Sequence, residues 1–304
     1  MKYDVIIIGG GPGGLTAAIY ACRAGWKTAL LERGAPGGQA ASTDIIENYP
    51  GFVEGVSGPE LMMNFYNQAL RFNCEFITAD VMGLEVTGPQ KKIITSQGQF
   101  EGKTIIIATG ASHKAVGVEG EQRLRGKGIS YCATCDGFFF RGKKVAVIGG
   151  GDSAVKEAIY LANLAEEVTI IHRRDAFRAA KILVDKALQT PNIKVLWDSV
   201  VDEMIGDNHL EKLRIQNVKT KEITDLQVNG AFLYVGTQPN TTFLDSDYTK
   251  NPQGYLITNH KLETSVAGVF AVGDCCQKES RQVATAVGDG AMVLPALEAY
   301  LHAL

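Results

Sequence analysis

Two glycine-rich turns of the same design, 140 residues apart, constrain the fold of this chain more than any other feature. The first, GGGPGG at 9–14, follows an apolar run at 3–8, and the second, GGGDSA at 149–154, follows a similar run at 144–148. A buried strand that leads through such a turn into a helix is the local structure that binds the pyrophosphate of a dinucleotide. The repeat therefore predicts an α/β fold with two Rossmann-like dinucleotide-binding domains.

The first turn has the three glycines of the dinucleotide fingerprint. Gly9 permits the tight turn, Gly11 lets the backbone approach the pyrophosphate, and Gly14 allows the helix to pack closely on the strand. Glu32 ends the next predicted strand, 18 residues after the last glycine, where an acid can accept a hydrogen bond from a ribose hydroxyl. We expect Gly9, Gly11, Pro12, Gly13 and Glu32 to contact the first dinucleotide.

The second turn differs from the first at the end of its second strand. His172 stands where the first unit has Glu32, and Arg173, Arg174 and Arg178 follow it. Arginines attract a 2′-phosphate, whereas an acid would repel it, so this unit is predicted to prefer NADPH over NADH. The alternative is that the arginines form a solvated face or pair with nearby acids. The predicted NADPH contacts are Gly149, Gly151, Asp152, Ser153, Ala154, His172, Arg173, Arg174 and Arg178.

Two sites of different type suggest a tightly bound flavin dinucleotide in the first unit and a diffusing NADPH in the second, with hydride passing from the second to the first. The length of 304 residues fits about two domains. The net charge of −3 gives no basic field for nucleic acid or an anionic membrane, and no apolar run reaches the ~18–20 residues of a transmembrane helix. We expect a cytoplasmic protein without a signal peptide.

The stretch SYCATCDGFFF at 130–140 places Cys132 and Cys135 two residues apart, with Asp136 directly after them. A C-x-x-C can be a structural disulfide, half of a zinc site or a redox dithiol. In a cytosolic chain a structural disulfide is disfavoured, so the remaining choices are metal binding and redox chemistry. Zinc needs four ligands, and no histidine accompanies these cysteines at zinc-finger spacing.

The segments between and after the repeats suggest how the domains are connected. Residues 111–130 and 241–262 are predicted to be linkers, and the C-terminal region is predicted to contain a strand and a long helix. Because a strand and a helix cannot bury themselves alone, we expect them to complete the first domain. The predicted boundaries are 1–113 and 244–304 for a discontinuous FAD domain, with an inserted NADPH domain at 114–243.

These motifs together resemble the low-molecular-weight thioredoxin reductases of bacteria and archaea, within the pyridine nucleotide-disulfide oxidoreductases. The resemblance covers nearly the whole chain and includes GGQ (37–39), ENYPG (47–51), ATGAS (108–112), CATCDGFFF (132–140), HRRDAFRA (172–179) and GVFAVGD (268–274). It implies a three-layer β/β/α architecture for each domain, a homodimer, and thioredoxin as the disulfide substrate.

The resemblance also implies roles for individual residues. Cys132 matches the cysteine that attacks the thioredoxin disulfide, Cys135 the cysteine beside the flavin ring, and Asp136 the acid that handles the proton. Further flavin contacts are implied for Gly38, Gln39, Asn48, Ala108, Thr109, Gly110, Asp274, Arg281, Gln282 and Val283.

Other interpretations stay open from the sequence alone. A related flavoprotein could use another electron donor, such as ferredoxin, or another disulfide substrate, and a nucleotide-sensing module would use neither cysteine. Cys22 and Cys74 fit buried apolar positions. Cys275 and Cys276 fit either packing near the flavin or a second redox or metal-responsive pair.

Overall fold

The computed structural model describes residues 2–43, 45–88 and 90–304. The chain forms two compact units, one made of Met1–Ser112 with Gln238–Leu304 and the other of His113–Thr237. The strands are β1 (Lys2–Ile8), β2 (Thr28–Glu32), β3 (Glu75–Thr78), β4 (Val81–Glu85), β5 (Lys91–Thr95), β6 (Gly98–Ile107), β7 (Ala111–His113), β8 (Ile129–Ser130), β9 (Lys144–Gly149), β10 (Glu167–Ile171), β11 (Ile193–Leu196), β12 (Ser199–Ile205), β13 (Lys212–Asn217), β14 (Ile223–Gln227), β15 (Gly230–Tyr234), β16 (Thr237–Pro239) and β17 (Val269–Ala271). The α-helices are α1 (Pro12–Arg23), α2 (Gly58–Arg71), α3 (Ala133–Asp136), α4 (Asp152–Ala162), α5 (Lys181–Gln189), α6 (Val283–Met292) and α7 (Leu294–His302).

The first unit is built on a sheet of order β3-β2-β1-β6-β5-β4, with β17 also paired to β6. Strand β1 runs parallel to both β2 and β6, so its apolar residues are covered on both faces. Val5 and Ile7 pack with Leu15 of α1, while Ile6 and Ile8 pack into a second apolar cluster. This burial explains why residues 3–8 form a continuous apolar run.

The C-terminal segment completes this first unit, as the sequence predicts. Strand β17 lies parallel to β6, with Val269 opposite Ile105. Helix α6 packs so closely on α1 that a Cβ at Gly290 would lie 2.4 Å from the carbonyl oxygen of Gly13. The predicted single long helix is instead two helices, α6 and α7, and Pro295 lies in the first turn of α7. Proline lacks the N–H that a continuous helix requires at this position.

The second unit has three layers. A parallel sheet of order β11-β10-β9-β15-β8 lies between an antiparallel sheet, β12-β13-β14, and helix α4. Successive residues of β9 face opposite layers: Val145 and Val147 pack in the cluster that includes α4, and Ala146 and Ile148 in the cluster that includes the antiparallel sheet. This β/β/α arrangement is the one that the family resemblance implies for this domain.

The repeat in the sequence is also a repeat in the structure. Strand β1, helix α1 and strand β2 of the first unit have the counterparts β9, α4 and β10 in the second. Residues 238–243 belong to the first unit, where the backbone N–H of Asn240 donates to the carbonyl oxygen of Gly110 at 3.0 Å. Among the helices of the described residues, none is both long and apolar enough to cross a bilayer.

Candidate functional site

The first glycine turn joins β1 to α1 and has one open face. Gly9 has φ +109°, and a Cβ there would lie 2.3 Å from the carbonyl oxygen of Ala108. A Cβ at Gly14 would lie 1.9 Å from the carbonyl oxygen of Gly9, whereas one at Gly11 would meet no described atom within 4 Å. Gly9 and Gly14 are therefore required for packing, and Gly11 leaves the N-terminus of α1 open to a ligand.

Glu32 is held against this turn by the backbone. Its Oε2 accepts a hydrogen bond from the N–H of Gly10 at 2.7 Å, and its Oε1 accepts one from Gly34 at 3.0 Å. A carboxylate has about four acceptor positions, so capacity remains for ribose hydroxyls. The geometry fits the role predicted for this acid.

Asp274 provides a half-buried carboxylate in the same unit, three residues after the end of β17. Its Oδ1 atom is buried and has no hydrogen-bond partner among the described residues. Burial raises the pKa of Asp274, and the nearby cations Lys278 and Arg281 partly oppose this effect. A buried acceptor without a partner fits a ligand hydroxyl, as the ribityl chain of a flavin would supply.

The remaining predicted flavin residues also belong to the first unit, and several of them lie beside this turn or at the end of β6. Arg281 stacks on the ring of Tyr255 at 4.1 Å and its Nε lies 3.4 Å from the carbonyl oxygen of Asp274. The side chain of Asn48 donates to Oε1 of Gln282 at 3.1 Å. Pro12 and Val283 begin α1 and α6, respectively. Gly13 lies against Ala286, Gly38 lies against Gly11, and the side chain of Gln39 donates to the carbonyl oxygen of Ala111. The three residues that follow β6 are Ala108, Thr109 and Gly110.

The second glycine turn repeats this geometry between β9 and α4. A Cβ at Gly149 would lie 2.6 Å from the carbonyl oxygen of Tyr234, and one at Gly151 would meet no described atom within 4 Å. Asp152 begins α4, and its Oδ1 accepts a hydrogen bond from the N–H of Ala180 at 2.7 Å. Ser153 is exposed beside it, and Ala154 is buried against the turn. The N-terminus of α4 is thus open to a ligand in the same way as that of α1.

His172 occupies the place in the second unit that Glu32 has in the first. A Cβ at Gly150 would lie 2.2 Å from Nδ1 of His172, so the ring packs directly on the turn. Burial lowers the pKa of His172, and the nearby charges of Arg178 and Arg173 lower it further. A neutral imidazole therefore replaces the carboxylate, which removes negative charge from this site.

Three arginines follow His172 and project into solvent. Arg173, Arg174 and Arg178 are exposed, and none forms an ion pair with an acid in the part of the chain that the structure describes. The acid within their segment, Asp175, pairs instead with Lys219 at 3.5 Å. The guanidinium groups are thus available to a phosphate, which argues against the alternative that they serve nearby acids.

The C-x-x-C motif lies in the second unit after β8, with Cys132 directly before α3 and Cys135 within it. Cys132 and Cys135 form a disulfide, with Cα atoms 5.3 Å apart. The hydroxyl of Ser130 donates to Oδ2 of Asp136 at 2.5 Å, and its oxygen accepts the N–H of Cys132 at 3.0 Å. The carboxylate and the cysteine pair are therefore linked through one hydroxyl.

The other cysteines are thiols. Cys74, Cys275 and Cys276 are buried, and Cys22 is half-buried. The Sγ of Cys275 lies 3.3 Å from the carbonyl oxygen of Val272. Within the described residues, no group of three His, Cys, Asp or Glu side chains could hold a metal ion.

Three residues at these sites have no signal in the sequence analysis. Ser130 precedes the motif but resembles any strand residue, and Tyr234 ends a buried strand. The hydroxyl oxygen of Tyr234 accepts the N–H of Ala133 at 2.7 Å, although the two residues are 101 positions apart. Lys219 lies in a hairpin turn, 44 positions after Asp175. Only the fold brings such pairs together, so one sequence could not reveal them.

The chain is similar to known proteins in both sequence and structure. Residues 3–290 match the family model described as pyridine nucleotide-disulphide oxidoreductase. A thioredoxin reductase of Bacillus subtilis is 41% identical over 99% of this chain and 96% of its own length, and one of Rickettsia conorii is 46% identical over 98% of each. The crystal structure of thioredoxin reductase from Streptococcus pyogenes is 46% identical, with a TM-score of 0.95 over 100% of this chain and 99% of that one.

Proposed function

Because this chain belongs to the pyridine nucleotide-disulphide oxidoreductase family, we propose that it is a thioredoxin reductase. It uses NADPH as the electron donor and oxidised thioredoxin as the disulfide substrate. The observation that carries the proposal is the Cys132–Cys135 disulfide, which is joined through Ser130 to the carboxylate of Asp136. A nucleotide-sensing module would have no use for this arrangement.

The first unit binds FAD and the second binds NADPH in this proposal. Three features support FAD in the first unit: the open backbone at Gly11, the acid Glu32, and the buried Oδ1 of Asp274, which has no partner in the described part of the chain. The open backbone at Gly151 and the exposed arginines support NADPH in the second. When bound, FAD supplies two-electron transfer between a nicotinamide and a disulfide.

The cysteines carry the electrons to the substrate. Two electrons and two protons convert the Cys132–Cys135 disulfide into two thiols. The thiolate of Cys132 attacks the thioredoxin disulfide, which forms a mixed disulfide and releases one substrate thiolate. The thiolate of Cys135 then attacks Cys132, re-forms the original bond and releases the second substrate thiolate. Asp136 takes up and delivers the protons that these thiols lose and the substrate thiolates gain.

The assembly and location follow from the same resemblance. We place the enzyme in the cytoplasm, where NADPH is regenerated, and expect a homodimer. Sedimentation of the FAD-loaded protein at micromolar concentration tests the assembly, because a monomer at that concentration would contradict it.

The decisive experiment is an anaerobic titration of the FAD-loaded protein with NADPH and, separately, with NADH while the flavin spectrum is recorded. We expect NADPH to bleach the flavin at a far lower concentration than NADH, and oxidised thioredoxin to restore the yellow colour. Cys132→Ser should still be bleached by NADPH but should fail to turn over thioredoxin. Absence of bleaching by either nucleotide would contradict the proposal and direct attention to another donor, such as ferredoxin.

A further inference from the structure

Lys219 forms two ion pairs beside the arginine segment of the second unit. Its Nζ lies 2.9 Å from Oδ2 of Asp198 and 3.5 Å from Oδ2 of Asp175. Asp175 stands between Arg174 and Arg178 in the sequence, so its carboxylate is the negative charge nearest to these two cations along the chain. Lys219 is the cation that neutralises it.

The backbone holds Lys219 in this position. The residue lies in the turn between β13 and β14, where Oδ1 of Asn217 accepts the N–H groups of Lys219 at 2.9 Å and Thr220 at 3.0 Å. The turn is anchored by a hydrogen bond from the N–H of Val218 to the carbonyl oxygen of Asp198, at 2.6 Å. These bonds fix the backbone position from which the Lys219 side chain extends.

Asp198 connects this turn to the arginine segment. Its own N–H donates to the carbonyl oxygen of Arg174 at 3.2 Å. The hairpin, Asp198 and the arginine segment are therefore joined by continuous hydrogen bonds. Lys219 is thus tied to the predicted 2′-phosphate site by backbone bonds as well as by its ion pairs.

The charges of these groups explain how Lys219 would affect the binding of a 2′-phosphate. A 2′-phosphate carries up to two negative charges, and an uncompensated Asp175 within the arginine segment would repel it. Lys219, Asp175 and the arginines are exposed and Asp198 is half-buried, so water and salt weaken these interactions. A separation of several ångströms is nevertheless within the Debye length of about 8 Å at 0.15 M salt. The positive charge of Lys219 reduces this repulsion and extends the basic surface.

We propose that Lys219 is a specificity-determining residue, which favours NADPH over NADH by neutralising Asp175 and Asp198 beside the 2′-phosphate. The inference rests on the proposed function, because it assigns the phosphate to Arg173, Arg174 and Arg178. NADH has no phosphate at this position, so Lys219 should leave its binding unchanged.

The test is steady-state kinetics of the FAD-loaded enzyme with thioredoxin as acceptor, at low and high salt. Lys219→Gln should raise the KM for NADPH about fivefold at low salt, with less effect at high salt, while kcat and the KM for NADH stay constant. Lys219→Arg should keep the wild-type KM. Lys221→Gln is the matched control, because Lys221 is exposed in the same turn and forms no ion pair within the described residues.

A second substitution tests whether Lys219→Gln acts through the lost charge rather than through a change in structure. Adding Asp175→Asn to Lys219→Gln should restore part of the lost NADPH affinity, since one of the two repelling carboxylates is then absent and Asp198 remains. If the ratio of the KM for NADH to the KM for NADPH is the same in Lys219→Gln as in the wild type, and the wild type prefers NADPH, the inference is overturned. The proposed function would then remain intact. A wild-type enzyme that does not distinguish NADPH from NADH would overturn both the inference and the choice of NADPH as the preferred donor.

Discussion

The hydroxyl of Ser130 donates a hydrogen bond to Oδ2 of Asp136 at 2.5 Å, and the same oxygen accepts the N–H of Cys132. One small side chain thus holds both the acid and the first cysteine of the redox pair. A general acid assists thiol–disulfide exchange most when it is held close to the sulfur atoms. Ser130 is therefore a positioning residue for the proposed reaction.

Ser130→Ala should lower kcat for thioredoxin reduction about tenfold, because a lost hydrogen bond to a charged group costs about 1.5–3 kcal/mol. Reduction of the flavin by NADPH should keep its wild-type rate. Stopped-flow absorbance measures the two steps separately. Ser130→Thr retains the hydroxyl and should keep most of the activity. Full turnover by the alanine variant would refute the positioning role.

Substitution by alanine should have different effects at Gly14 and Gly11 of the first turn, on stability at the one and on FAD binding at the other. Gly14→Ala places a Cβ 1.9 Å from a carbonyl oxygen, so we expect a loss of about 3 kcal/mol in the free energy of unfolding. Gly11 has φ −78° and open space, so Gly11→Ala should leave the apoprotein as stable as wild type but weaken FAD binding at least about tenfold. Urea unfolding of apoprotein and FAD fluorescence measure the two effects. Equal stability losses in the two variants would contradict this assignment.

Ionisation of the Glu157 carboxyl group should lower the stability of the second unit as the pH rises. Its Oε2 is buried without a described partner, and burial raises the pKa of its carboxyl group. A carboxyl with a raised folded-state pKa stabilises the fold below its ordinary pKa, and this contribution is lost as the pH rises through the raised value. Glu157→Gln should therefore raise Tm by about 2 °C at pH 8 and leave it unchanged at pH 4.

Differential scanning calorimetry at the two pH values measures this change. Glu166→Gln is the control, because Glu166 is exposed in the connection between α4 and β10 and should change Tm at neither pH. A lower Tm for Glu157→Gln at pH 8 would show that the charged carboxylate stabilises the fold, contrary to this expectation.

Cys22 should be the first of the four free thiols to react. A hydrogen bond from the Cys74 thiol lowers the pKa of Cys22 to about 7, although burial opposes this effect. Cys275 and Cys276 are 0% and 2% exposed. Iodoacetamide at neutral pH, followed by peptide mass mapping of the oxidised protein, should label Cys22 well before these two. Rapid labelling or disulfide formation at Cys275 and Cys276 would instead support a second redox pair there.

The sequence predicts the parts of this molecule that depend on local patterns. The strand, turn and helix around Gly9 and around Gly149 follow from glycine spacing and apolar runs, and the structure contains both. The discontinuous first unit also follows, because β17 and α6 could not be stable alone. The break between α6 and α7 was not predicted, although Pro295 indicates it.

The parts that could not be predicted depend on distant contacts. Tyr234 meets Ala133 only because β15 ends beside α3, and Lys219 meets Asp175 only because the β13–β14 hairpin lies next to the arginine segment. Neither tyrosine nor lysine has a local pattern that distinguishes these positions from other surface or strand-end positions. An arrangement of this kind requires the tertiary structure.

The pairing of β17 with β6 has a consequence for synthesis on the ribosome. Ile105–Ile107 are buried by Val269–Ala271, which are translated more than 160 residues later. At about 5–20 residues per second, the nascent chain carries this apolar strand edge uncovered for roughly ten seconds or more. The second unit is continuous in sequence and can fold during that interval. The first unit is thus the later to mature, and until then its uncovered edge is a site at which the newborn chain can pair wrongly or bind a molecular chaperone.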